Sequence, residues 1–177
     1  MSIEKLYRGI LGKAWLLAFM LLTFTLYGID LRRDYANLAN QYRRGQIDNV
    51  AEQILRLQAT TDEERAFLLY YGAMLKASMT ESTVLHQQNI SRYPATYHGQ
   101  MSMLEVAKNQ ILQHDLASAK ALLRRITHPE IQDRLYWQAV CAFHLEEYDD
   151  CTGFAENYIR LGSESNYFEQ AYYLLAD

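Results

Sequence analysis

At 177 residues, half of them apolar or aromatic, the chain can bury a core and suits one domain. Two prolines and eight glycines are too few for a sandwich or barrel with a turn every ten or so residues, so long helices with brief connections fit better. The formal charge of −4 comes from interspersed acids and bases with no basic stripe for phosphates, which argues against a nucleic-acid partner.

The N-terminal residues differ in kind from the rest. Lys5, Arg8 and Lys13 precede a charge-free run from Ala14 to Ile29, the basic and apolar regions of an export signal. The run is shorter than the roughly 20 residues of a spanning helix, although Ile10, Leu11 and Gly12 extend it past Lys13. Residues 1–28 are therefore expected to be a signal peptide or an N-terminal membrane anchor; in the second case residues 10–29 hold the chain at the inner membrane. The alternative is a buried N-terminal helix. No cysteine follows the run, so a lipoprotein signal is not supported. Either export reading places the remainder in the periplasm or cell envelope, touching the membrane only through the N-terminal segment.

From Asp30 onward the apolar spacing is helical almost throughout. Two similar units stand between Gln100 and Gly162: Leu104, Ala107 and Ile111 recur at helical spacing before the turn His114-Asp-Leu116, and Ala119, Leu122, Leu123 and Ile126 recur after it. The second unit repeats the pattern around Glu146-Glu-Tyr148. Two further turns, Gly45-Gln-Ile47 and Ala77-Ser-Met79, fall into phase with them. Three residues beyond each turn stands a small or modest side chain, Val50, Ser82, Ala119 or Cys151, at spacings of 32, 37 and 32. Twelve residues before each of these are Leu38, Tyr70, Ala107 and Ala139. Small residues facing each other are what close helix packing within a hairpin requires, and Tyr70 breaks the pattern. The larger spacing is ascribed to the five-residue connection from Ala95 to Gly99, which is expected to protrude or bend the stack. Gly162 to Asn166 makes a second long link, and Tyr167 to Ala176 reads as the first helix of a fifth hairpin.

These units resemble tetratricopeptide repeats, whose period is 34 residues. Ala107 and Ala139 stand at the family's small position in the first helix, and Val50, Ser82, Ala119 and Cys151 at that in the second. Gly45 matches the turn glycine and Arg92-Tyr93-Pro94 the closing proline, while Met103 and Leu135 replace the family's tryptophan. The phrases SRYP and NYFEQAYYLLAD are similar to envelope tetratricopeptide proteins of Gram-negative bacteria, of the Tol-Pal coordinator and barrel-assembly lipoprotein type. The resemblance implies an all-α, right-handed superhelical solenoid of antiparallel helix hairpins over residues 29–177. It also implies a concave groove lined by first helices, here Tyr35, Tyr42, Phe67, Tyr71, Met74, Leu104, Lys108, Ile111, Tyr136, Val140 and Phe143. Such a row could hold a peptide or partner helix; the alternative is that it is core between neighbouring hairpins.

Nothing in the spacing suggests chemistry. His86, His98, His114, His128 and His144 form no metal-ligand pair and read as surface or turn residues, and no nucleophile elbow, phosphate loop or dinucleotide fingerprint occurs. No metal and no cofactor are expected. Cys141 and Cys151 lie on opposite arms of one hairpin, where a disulfide in an oxidising compartment competes with two small buried thiols, the favoured reading. Asp62-Glu63-Glu64 and Asp149-Asp150 fall where helices begin, and the helix dipole accounts for them. Asn89-Ile90-Ser91 fits a glycosylation pattern but falls late in a helix.

The expected function is a non-catalytic scaffold of the bacterial cell envelope that binds another protein or peptide. The alternatives are an accessory domain of a longer envelope or cell-wall-associated protein, and self-association through the terminal helix.

Overall fold

The computed structural model describes residues 33–176. The signal or anchor expected at residues 1–28 lies outside them. The described residues are all-α, with no strand among them, and no helix among them is long and apolar enough to cross a membrane.

The chain divides into two compact units between Leu55 and Arg56. In the first, α1 (residues 33–43) is followed by α2 (Ile47–Ile54). Leu38 and Val50, one expected packing pair, are both fully buried, and Gln53 Nε2 donates to Gln41 Oε1 at 2.8 Å. The second unit contains α3 (Asp62–Met74), α4 (Met79–Arg92), α5 (Tyr97–Leu112), α6 (Leu116–Leu123), α7 (Asp133–His144), α8 (Tyr148–Ile159) and α9 (Phe168–Ala176). Within it each helix packs on the next, and α3, α5, α7 and α9 also pack successively side by side, forming one layer.

Three hairpin turns share one backbone solution. Gly45, His114 and Glu146 each adopt a left-handed conformation, with φ of 74°, 59° and 60°. The next residue's N–H reaches back to the carbonyl five positions earlier: Gln46 to Gln41 at 3.0 Å, Asp115 to Gln110 at 2.8 Å and Glu147 to Ala142 at 2.9 Å. The left-handed residue itself donates to Tyr42, Ile111 or Phe143. This pair of bonds satisfies carbonyls that the helix end leaves open and turns the chain in three residues. The equivalence of these turns in the sequence therefore has a backbone cause.

The second hairpin departs from them. Four residues separate α3 from α4, and no left-handed residue stands there. Ser82, expected at the small packing position, is only half-buried; the buried residues of α4 are His86 and Asn89, and the fully buried small residues of α3 are Ala66 and Ala73, on either side of Tyr70. The register inferred through Tyr70 and Ser82 is corrected accordingly. Elsewhere the inferred positions hold: Ala107, Ala119 and Ala139 are fully buried and Cys151 is 2% exposed. Ala171 on α9, 32 residues after Ala139, is fully buried as well.

The connection expected at Ala95–Gly99 is shorter than that, because α5 begins at Tyr97. Thr96 caps α5 by accepting from Gly99 N at 3.0 Å, so Tyr97 to Gly99 form the first helical turn. A Cβ on Gly99 would lie 1.9 Å from the Tyr93 carbonyl oxygen, so only glycine permits the tight approach of chain and helix here.

Two cores run through the second unit. Met103, Leu104, Ala107 and Ile111 of α5 meet Ala119 and Leu123 of α6, Ile126, Ile131 and Cys141. Ala139 and Ala142 of α7 meet Cys151 and Ala155 of α8, with Phe143, Phe154 and Leu174 against them. Short side chains at the contacts let the helix axes approach closely.

Gly99→Ala is expected to destabilise the fold by about 2 kcal/mol or more, because backbone must move. His114→Gly and Glu146→Gly should each raise stability by about 0.5–1 kcal/mol by relieving a left-handed non-glycine residue. Urea unfolding of the three variants measures both effects.

Candidate functional site

The first turns of the side-by-side helices carry polar side chains that hold the start of the following hairpin. Glu63 of α3 accepts from the backbone N–H of Tyr97 at 3.0 Å and of His98 at 3.3 Å, and its Oε1 lies 2.5 Å from His98 Nδ1. Burial alone would raise the Glu63 carboxyl; the hydrogen bonds from the His98 ring and the two backbone donors outweigh it and hold the group below the usual range. In α5, Gln100 Oε1 accepts from the N–H groups of Thr127 and His128, both at 2.8 Å. In α7, Asp133 accepts from Tyr158 Oη at 2.6 Å and Asn166 Nδ2 at 2.8 Å, and Tyr158 Oη in turn accepts from Tyr167 N at 3.2 Å. Burial, reinforced by the bond to Asp133, keeps the Tyr158 phenol protonated far above its ordinary range. One interaction type thus recurs at successive junctions.

The predicted groove residues divide between core and surface. Phe67, Leu104 and Ile111 are buried in the second unit, and Tyr35 is buried in the first, where Tyr42 is half-buried. Tyr71, Met74, Lys108, Tyr136, Val140 and Phe143 are half-buried. Several join adjacent helices of the layer: Phe67 meets the His98 ring at 4.8 Å, Lys108 Nζ lies 5.5 Å from the centre of the Trp137 ring, and Tyr136 stacks on Tyr167 at 4.4 Å and 5°. The aromatic row therefore contributes packing between hairpins as well as surface.

His86 is not a surface residue as expected; it is 2% exposed. Its Nδ1 lies 3.1 Å from Ser102 Oγ, and Asn89 Nδ2 donates to the same oxygen at 2.9 Å and to the Ala66 carbonyl at 2.9 Å. These bonds explain a polar face turned inward on α4. Serine beside histidine is a pairing used in catalysis, and here both side chains are buried. Asn89, in the glycosylation pattern, is likewise fully buried. Cys141 and Cys151 are free, buried and in separate cores, and burial raises both thiols above their usual range. Among the described residues no cluster of His, Cys, Asp and Glu could hold a metal ion.

A cleft of about 310 Å³ opens at the end of the layer where α5 and α7 begin. Tyr97, Met101, Leu104 and Ile131 supply apolar lining; Glu130, Asp133 and Glu164 supply carboxylates; Gln132, Ser165 and Asn166 complete it. Helical periodicity gives no sign of it, since more than half of its lining comes from the connections before α7 and α9.

Comparison with protein-family models, curated proteins and solved structures returned no match. Function is therefore argued from the geometry itself.

Burial holds the His86 imidazole below the usual histidine range, against the pull of Glu105. A histidine depressed on folding contributes stability that is complete above its unfolded value and is lost as pH falls. Thermal melts between about pH 8 and about pH 5 should show the midpoint falling on acidification through the histidine range, with a flatter profile for His86→Gln. Identical profiles for the two proteins would contradict this role.

Proposed function

We propose that the chain is a non-catalytic protein–protein interaction scaffold built as a tetratricopeptide-like superhelical solenoid, which binds a peptide or partner protein along the layer formed by α3, α5, α7 and α9. The observation that carries this reading is the side-by-side packing of those helices, with half-buried Met74, Lys108, Val140 and Phe143 on successive members. A surface made of packed helices is preformed, so a partner need not order it on binding. The recurring left-handed turns and the fully buried alanines on α5, α7 and α9 support the repeat architecture. The export-like sequence before Asp30 supports placement in the cell envelope, with residues 1–28 as signal or anchor.

Met74→Arg and Phe143→Arg place charge at half-buried positions of the layer. Both variants are expected to unfold cooperatively yet to capture envelope proteins at least about fivefold less well than the parent chain, read by quantitative cross-linking. Undiminished capture by both would rule the layer out as the binding surface.

A further inference from the structure

The cleft at the start of α5 and α7 has a chemistry of its own. Its lining combines apolar and aromatic side chains, Tyr97 and Met101 with the nearly buried Leu104 and Ile131, with three acids, Glu130, Asp133 and Glu164, and contains no Lys or Arg. Asp133 is fixed by two neutral donors, the Tyr158 hydroxyl and the Asn166 amide, which orient the carboxylate without neutralising it. Among the described residues no ion pair engages any of the three acids. The surrounding sequence has the same sign: from Ile126 to Asp177 there are ten acids against two arginines, Arg134 and Arg160. Arg134 is turned to backbone, its Nη1 donating to the carbonyls of His128 and Ile131 at 3.1 Å each. Arg160 is occupied on its own helix by Asn157 and Glu156.

Acids beside apolar side chains in one cleft match a side chain with an alkyl stem and a cationic head. The size agrees, since about 310 Å³ stands at the lower end of the range for ligand pockets and takes one or two long side chains rather than a large ligand. We infer that this cleft is the docking site for a basic segment of a partner protein, a Lys or Arg whose stem lies on Met101 and whose charge is met by Glu130, Asp133 and Glu164. A second copy of this region is disfavoured as the occupant by like charge.

The inference rests on the scaffold reading and sharpens it by naming the partner's chemistry. Its test uses the full chain and a fluorescein-labelled peptide of alternating Leu and Arg, followed by anisotropy. Saturable binding is expected, weakened about tenfold in Glu130→Gln/Glu164→Gln, two exposed positions whose change leaves the fold intact. The peptide with Glu in place of Arg should not bind. Unchanged affinity in the double variant would overturn the assignment, as would equal binding of the Glu peptide. Displacement by spermine at the peptide's own affinity would show a site for small amines and overturn a protein partner. If Met74→Arg and Phe143→Arg abolish capture while the double variant leaves peptide binding untouched, the scaffold reading stands and this cleft falls. If the basic peptide binds as described while those two variants capture normally, the cleft stands and the wider layer falls.

Discussion

Each junction of the helical layer depends on one interaction: a polar side chain from the first turn of one helix accepts hydrogen bonds at the start of the next hairpin. Helix starts leave backbone N–H groups with no partner inside the helix, and burying them unpaired is unfavourable. Glu63 meets this need for α5, Gln100 for the chain leading into α7, and Asp133, through Tyr158 and Asn166, for the chain leading into α9. Apolar packing between helices is non-directional and tolerates sliding. Directed bonds at each junction fix where one hairpin stops against its neighbour, and the cleft above Tyr97 and Met101 takes its shape from those fixed positions.

Between the junctions, side-chain size sets the separation of the axes. Alanine and cysteine at Ala107, Ala119, Ala139 and Cys151 allow close approach, and the left-handed residues at Gly45, His114 and Glu146 reverse the chain in three residues. The α3–α4 hairpin reaches burial by another route. It uses a longer turn and an inward polar face, in which His86 and Asn89 are tied to Ser102 and to the Ala66 carbonyl. Polar groups buried this way are stabilising only while their bonds are made, and protonation of His86 works against them.

The sequence showed the helices and three of the hairpin turns clearly, because apolar periodicity and small residues at a fixed interval are local signals. The Tyr70 irregularity was also visible, but its resolution was not: a buried His86 has the same letter as an exposed one, and only its contacts with Ser102 decide the matter. Gly99 was read as loop because helical periodicity does not show a helix start pressed against the preceding carbonyl. The groove residues were named from the resemblance, and burial removes Phe67, Leu104 and Ile111 from the accessible surface. Glu63, Gln100 and Asp133 recur at spacings near the repeat length, a signal that a search for polar periodicity would have caught. The cleft was not legible, since Glu130 and Glu164 lie in connections whose path depends on tertiary structure.

The proposed scaffold and its cleft both require that the junction bonds exist in solution. Residue-resolved amide hydrogen exchange of the full chain tests this most directly at Tyr97, Thr127, His128 and Tyr167. Amides at helix starts and in the connections between helices normally exchange quickly. Here these four are expected to be protected to nearly the extent of amides in the middle of α5, and Glu63→Ala should release Tyr97 while leaving Thr127 and Tyr167 protected. Exchange of all four at the rates of open loops in the unmodified chain would contradict the account.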